Sequence, residues 1–180
     1  MIPNTVFLNV EIKATCDDLE KIRQKLMTMN ADFIGLDKQT DTYFNVAMGR
    51  LKLREGNIEN NLIFYDRENK AGPKKSNFQL LKVPDPQALK TILGNSLGIK
   101  MIVEKEREIF FVENVKIHLD NVSALGTFVE IEASNLNAPH SFEKLQEQCN
   151  FFIQEFEIKE SDLLHDSYSD MMLRLKEPIG

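Results

Sequence analysis

Met101-Ile102-Val103-Glu104-Lys105-Glu106-Arg107-Glu108-Ile109-Phe110-Phe111-Val112 is the stretch on which the fold turns. Its apolar ends mark a β-strand, and between them the charges alternate without a break. Side chains along a strand point to opposite faces in turn, so Glu104, Glu106 and Glu108 share one face and Lys105 and Arg107 the other. One face meets water. Lys105 and Arg107 must then meet something else that is polar.

The same sorting recurs in the neighbouring segments. Period-two alternation marks strands at 6–14, 41–46, 50–55, 61–67, 77–83, 101–112, 115–122 and 127–133. Most are joined by short turn-like pieces such as Gly56-Asn57 and Glu113-Asn114, and short connections impose antiparallel neighbours, because a parallel pair needs a long crossover. Between the strands, apolar residues recur at helical spacing after Asp17 (Leu19, Ile22, Leu26, Met29), after Asp85-Pro86 (Leu89, Ile92, Leu93) and after Ser141 (Phe142, Leu145, Cys149, Phe152, Phe156). Asp17 with Glu20 resembles a capping box. A shorter helix is expected over 168–175. The pattern describes an α+β domain with a large antiparallel sheet or barrel and a few packing helices.

The polar registers of these strands hold eight basic residues, Lys13, Arg50, Lys52, Arg54, Arg67, Lys105, Arg107 and Lys116, and four acidic ones, Glu11, Asp120, Glu130 and Glu132. Their balance is +4, although the chain as a whole carries 22 Lys and Arg against 28 Asp and Glu, a formal charge of −6, and everything outside these registers therefore sums to −10. A solvated face has no reason to collect the minority sign. A closed sheet with a charged lumen does, since low-dielectric walls focus the field of inward cations onto the axis. Such a tunnel attracts a compact polyanion. The inward carboxylates either neutralise neighbouring Lys and Arg or bind a hard divalent cation, which takes oxygen ligands. Basic residues beside a carboxylate cluster describe a site for a magnesium or manganese phosphate complex, with a triphosphate as the obvious candidate.

Composition excludes other classes. At 180 residues, 42% hydrophobic and 28% charged, the chain has the size of one domain and the apolar content to form a core, unlike a disordered chain. No apolar run approaches the roughly 18–20 residues of a membrane helix, and residues 1–9 lack a signal-peptide pattern. Cys16 and Cys149, without metal-ligand spacing, read as reduced thiols of a cytoplasmic protein. The acidic exterior argues against a nucleic-acid partner.

The chain resembles the CYTH domain proteins of the triphosphate tunnel metalloenzyme superfamily, and within them the CyaB-like, class IV adenylate cyclase branch. The resemblance runs through Asn9-Val10-Glu11-Ile12-Lys13 for the ExExK strand, Asp41-Thr42-Tyr43-Phe44, Arg50-Leu51-Lys52-Leu53-Arg54 and Phe64-Tyr65-Asp66-Arg67. It continues through Val103-Glu104-Lys105-Glu106-Arg107, Lys116-Ile117-His118-Leu119-Asp120 and Phe128-Val129-Glu130-Ile131-Glu132. It implies a single CYTH domain over residues 1–180, folded as an eight-stranded antiparallel closed β-barrel that binds a triphosphate with Mg2+ or Mn2+. By this similarity Glu11, Asp120, Glu130 and Glu132 fall on metal-binding positions, and Lys13, Lys52, Arg54, Arg67, Lys105 and Arg107 on phosphate-binding ones. Lys13, Arg54, Lys105 and Arg107 among these are expected to act on the reacting phosphates. The implied activity is conversion of ATP to cyclic AMP and pyrophosphate, with hydrolysis of thiamine triphosphate, tripolyphosphate or a nucleoside triphosphate as the alternative. A tunnel that holds a polyphosphate or nucleotide without turning it over is the reading from another class. The expected partner is the substrate alone, with no nucleic acid and no membrane, in a monomer or homodimer.

One position departs from the family pattern. The first Glu of ExExK is Asn9, which offers an oxygen without a charge and weakens any metal held there. His118 shares the inward register and is expected to be structural. Gly72-Pro73-Lys74-Lys75 reads as a basic loop, either a cover over the substrate or a plain connection, and Tyr168 reads as a residue at the tunnel mouth or within a helix contact.

Overall fold

A computed structural model describes residues 6–67, 70–136 and 139–176. Eight strands, β1 (Phe7–Thr15), β2 (Asp32–Phe44), β3 (Arg50–Glu55), β4 (Asn61–Arg67), β5 (Lys74–Lys82), β6 (Ile99–Val112), β7 (Val115–Val122) and β8 (Gly126–Ser134), close into one barrel in the order β1-β5-β4-β3-β2-β6-β7-β8. Every neighbouring pair is antiparallel. Four helices pack around it: α1 (Leu19–Thr28), α2 (Pro86–Leu97), α3 (Phe142–Glu155) and α4 (Tyr168–Lys176).

The helices begin where side-chain oxygens satisfy first-turn amides that have no intrahelical partner. Asp18 accepts from Lys21 N at 3.0 Å, Asp85 from Ala88 N at 3.0 Å ahead of Pro86, and Ser141 from Lys144 N at 3.3 Å. The cap of α1 is thus Asp18, one residue beyond the Asp17 suggested by the spacing to Glu20. Gly98, with φ +78°, sits where α2 ends and β6 begins, a backbone region open to glycine.

The apolar core lies outside the barrel. Val10, Ile12, Ile117, Leu119, Val129 and Ile131 turn away from the lumen and pack against Ile22 and Leu26 of α1 and Leu145, Cys149 and Phe152 of α3. Leu89 and Leu93 of α2 cover Phe44, Leu53 and Val83. At one end, Tyr168 of α4 joins Tyr43, Met101, Val103, Val122 and Phe128 in a further cluster. With its apolar rows sealed by helices, the barrel must turn its polar rows inward.

β6 shows this most plainly. Glu104 and Glu106 are exposed, whereas Lys105 and Arg107 are only 4% and 2% accessible. Two elements differ from the sequence pattern. β2 begins at Asp32, nine residues before the alternation becomes clear, because a register shift between Phe33 and Gly35 interrupts it and because its inward row, Asp37, Gln39 and Asp41, is polar and buried. Lys74 and Lys75 belong to β5 rather than to a basic loop, and Lys74 is fully buried, its ammonium donating to Leu164 O at 2.8 Å.

A charged cavity inside the barrel

The lumen holds a cavity of about 300 Å³ lined, among the described residues, by eight Lys or Arg and five Asp or Glu side chains, a surplus of three positive charges. Of the residues expected inside from their register, Lys13, Lys52, Arg54, Arg67, Lys105, Arg107 and Lys116 all reach it, as do Glu11, Glu130 and Glu132. Arg50 does not. It turns toward α4, where its guanidinium donates to Asp170 at 3.1 Å. Asp120 is fully buried behind the lining.

Three carboxylates organise the cations. Asp41 of β2 accepts from Arg54 Nε at 2.9 Å, Arg54 Nη2 at 3.1 Å, Lys52 Nζ at 3.0 Å and Lys105 Nζ at 2.7 Å, so it gathers side chains from β3 and β6 onto one point. Asp120 of β7 holds Arg107 through two bonds, Nε to Oδ1 at 2.6 Å and Nη2 to Oδ2 at 2.5 Å, and takes a third from the Tyr168 hydroxyl at 2.7 Å. Such a two-bond fork fixes the guanidinium in plane and direction. Glu59, in the connection between β3 and β4, accepts from Arg54 Nη1 at 2.8 Å and pairs with Lys116 of β7, which lies across the barrel mouth.

The connection carrying Glu59 is itself held in place. Asp37, buried on β2, accepts from Ile58 N at 2.8 Å and Glu59 N at 3.0 Å. Gly56 leaves the room this needs, since a β-carbon there would stand 2.6 Å from Asp37 Oδ1. Asp41, Asp37 and Glu59 are site residues outside the polar registers that the sequence marks. Asp41 already opens the strand expected at 41–46, extension of that strand back to Asp32 adds Asp37 to the same inward row, and nothing periodic marks Glu59.

The remaining acidic residues share the wall formed by β1, β7 and β8. Glu130 pairs with Lys13 and Arg107, and Glu11 pairs with Arg67 and accepts from Asn9 Nδ2 at 3.2 Å. His118 Nδ1 lies 3.4 Å from Glu130 Oε2 and 3.9 Å from Glu132 Oε1. Among the described residues, no Lys or Arg pairs with Glu132. One ligand atom each from His118, Glu130 and Glu132 lies within 4.8 Å of the others, a set of carboxylate oxygens and an imidazole nitrogen without a thiolate. The carboxylate oxygens of that set suit a hard divalent cation such as Mg2+ or Mn2+.

Burial and this charge density move the titrations. Burial presses the Lys105 ammonium down to about 7 against the pull of Asp41, aided by Arg107 and Arg54. Burial also holds His118 well below its ordinary value, with Arg107 and Lys116 adding to the effect. Burial alone would raise Glu59, but Arg54 and Lys116 outweigh it and hold the carboxyl at about 2. Lys13 stacks on the Tyr168 ring, its Nζ 3.4 Å from the centroid, so α4 supplies a wall of the cavity as well as an end cover.

At the mouth away from α4, where Glu59 pairs with Lys116, the lining also carries Lys82 and the apolar side chains Ile63, Phe78, Leu80, Phe111 and Leu136 around Asn61, Asn114 and Ser134. The lumen is therefore graded. Lys13, Arg54, Lys105 and Arg107 converge on its interior, and one opening adds apolar and amide side chains to the Glu59–Lys116 pair.

Comparison with known proteins agrees with this architecture. A Methanocaldococcus jannaschii protein provisionally named an adenylate cyclase is 26% identical over 182 residues, covering 91% of this chain and 98% of its own. A solved structure from Vibrio parahaemolyticus, also provisionally called an adenylate cyclase, superposes with a TM-score of 0.75 at 17% identity, over 92% of this chain and 98% of that one. A Hippeastrum protein described as a provisional adenylyl cyclase with a dominant triphosphatase activity superposes with a TM-score of 0.64 at 12% identity, over 96% and 98% of the two chains. The family model for the CYTH domain matches residues 8–168, and the chain belongs to that family.

Proposed function

We propose that the protein binds an organic triphosphate inside the barrel and transforms it with the help of Mg2+ or Mn2+, acting as an adenylate cyclase on ATP. The observation that carries this reading is the convergence of eight Lys and Arg side chains from six strands onto one cavity that also contains an acidic wall. Lys13, Lys52, Arg54, Arg67, Lys105 and Arg107 bind the phosphate oxygens, the guanidiniums as planar forks and the ammoniums as point charges. Glu130 and Glu132 are the metal carboxylates, with Glu11 beside them. A divalent cation bound there neutralises phosphate charge and favours ionisation of an attacking hydroxyl.

The ion pairs support further roles. Asp41 and Asp120 aim the clamp: the first fixes Lys52, Arg54 and Lys105, the second fixes Arg107. Asp120, expected to be a metal ligand, serves in this reading through Arg107 and Tyr168. The apolar side chains Ile63, Phe78 and Phe111 at that mouth support an organic substituent on the triphosphate, with Asn61 and Asn114 available for its polar edges. In the cyclase reaction the ribose 3′ oxygen attacks the α-phosphorus, the bond to the β-phosphate breaks, and pyrophosphate leaves with its charge met by the preorganised cations.

A second reading is favoured by the dominant triphosphatase activity described for the Hippeastrum protein and by Asn9, which removes one carboxylate from the acidic wall. There water attacks the γ-phosphorus while the same cations hold the other oxygens. Purified protein incubated with ATP, thiamine triphosphate and tripolyphosphate, each with Mg2+ and with Mn2+, separates the readings by product chromatography. Cyclic AMP with pyrophosphate establishes the cyclase and orthophosphate release the hydrolase. Tight binding without turnover of any of the three overturns both.

A further inference from the structure

His118 stands directly opposite Glu130 in the register of β7 with β8 and is fully buried. Its surroundings do not satisfy it as a packed core histidine. Among the described residues, the only hydrogen-bond contact of the ring is the long 3.4 Å approach of Nδ1 to Glu130, and Nε2 is buried without any partner. Buried imidazoles ordinarily have both nitrogens engaged. The nitrogen that does face a polar group faces two carboxylates, one of which, Glu132, carries no Lys or Arg pair among the described residues. The aspartate two residues along the strand is already committed, its oxygens taken by Arg107 and Tyr168.

We propose that His118 supplies a nitrogen ligand to the divalent cation held by Glu130 and Glu132, so that the centre is a mixed nitrogen and oxygen site. This rests on the metal-dependent reading above and sharpens it. Glu130 can serve the cation while keeping Lys13 and Arg107, because each carboxylate oxygen has two lone pairs. The consequence is selectivity. Mg2+ and Ca2+ take oxygen ligands, whereas imidazole suits the later divalent ions, so the site favours Mn2+ over Mg2+.

Frozen-solution electron spin echo measurements on the full, untagged chain with one equivalent of Mn2+ and no nucleotide test this. The expected signal is modulation from one directly bound imidazole nitrogen, present when the other histidines are replaced (His140→Gln, His165→Gln) and lost in His118→Asn. Calorimetric titration is expected to show Mn2+ binding weakened at least about tenfold by His118→Asn, with Mg2+ binding nearly unchanged. Mn2+ bound without nitrogen modulation overturns the role of His118 and leaves the carboxylate site standing. No Mn2+ binding at all overturns the metal site with it. The spectrum of the His140→Gln, His165→Gln protein decides the matter even if His118→Asn does not fold.

Discussion

The Tyr168 hydroxyl donates to Asp120 at 2.7 Å, joining the first residue of the last helix to the carboxylate that aims Arg107. The same ring lies under Lys13 and 5.0 Å from Phe128, so one side chain seals the barrel end and borders the cavity. Tyr168→Phe keeps the ring and removes only the hydroxyl. It is expected to lower stability by about 1–3 kcal/mol, the cost of a lost hydrogen bond to a buried charge, read as a lower urea midpoint. Triphosphate affinity should fall less than in Lys13→Ala.

Asp41 holds Lys52, Arg54 and Lys105 together at 1% exposure of its own side chain. Asp41→Asn leaves these cations without their shared counter-charge, and breaking a buried pair costs about 3–5 kcal/mol. A polyanion restores the missing charge. Added tripolyphosphate is therefore expected to raise the thermal midpoint of Asp41→Asn more than that of the wild type, a differential that scanning fluorimetry measures directly. Equal shifts would show that Asp41 does not govern the clamp.

Substrate binding should take up protons. Lys105 titrates at about 7, so at pH 8 most of it is neutral, and a triphosphate beside it favours the charged form. Calorimetry at pH 8 in buffers of different ionisation enthalpy is expected to show net proton uptake on tripolyphosphate binding. The uptake should shrink at pH 6, where Lys105 is already charged, and it should be smaller in Lys105→Met, where Lys13, also held well below its ordinary value by burial, remains to take up a proton.

Glu59 carries an acid-sensitive part of the stability. Its carboxyl, held at about 2 against an ordinary 4.5, contributes fully above 4.5 and loses that contribution as the pH falls toward 2. Because Glu59→Gln has no carboxyl to protonate, its stability is expected to decline less steeply than that of the wild type over this window. Urea midpoints across the acid range check the slope.

How much of this was legible depends on which face a residue served. β6 was readable because Glu104, Glu106 and Glu108 alternate with Lys105 and Arg107 without exception, and β3, β4 and β7 kept the boundaries their alternation gave. The start of β2 was hidden by the register shift at Gly35 and by an inward row of Asp37 and Gln39, which looks like a loop in sequence and a buried network in space. Arg50 followed the right register and still left the lumen, since Asp170 waits 120 positions away on α4. Asp120 was recognisable as an inward acid, but its bond to Tyr168 depends on how the chain returns to the barrel. Register is a local property of the sequence. Pairing between distant segments is not.

The placement of the apolar core outside the barrel separates two kinds of evolutionary freedom. Val10, Ile12, Ile117, Leu119, Val129 and Ile131 secure the helices, while Glu11, Lys13, His118, Glu130 and Glu132 occupy the alternate positions of the same strands. A substitution in the second group alters the interior chemistry without touching the apolar side chains that pack against the helices. The interior row can thus change at every second residue while the outward row stays in place, and Asn9 lies on that interior row.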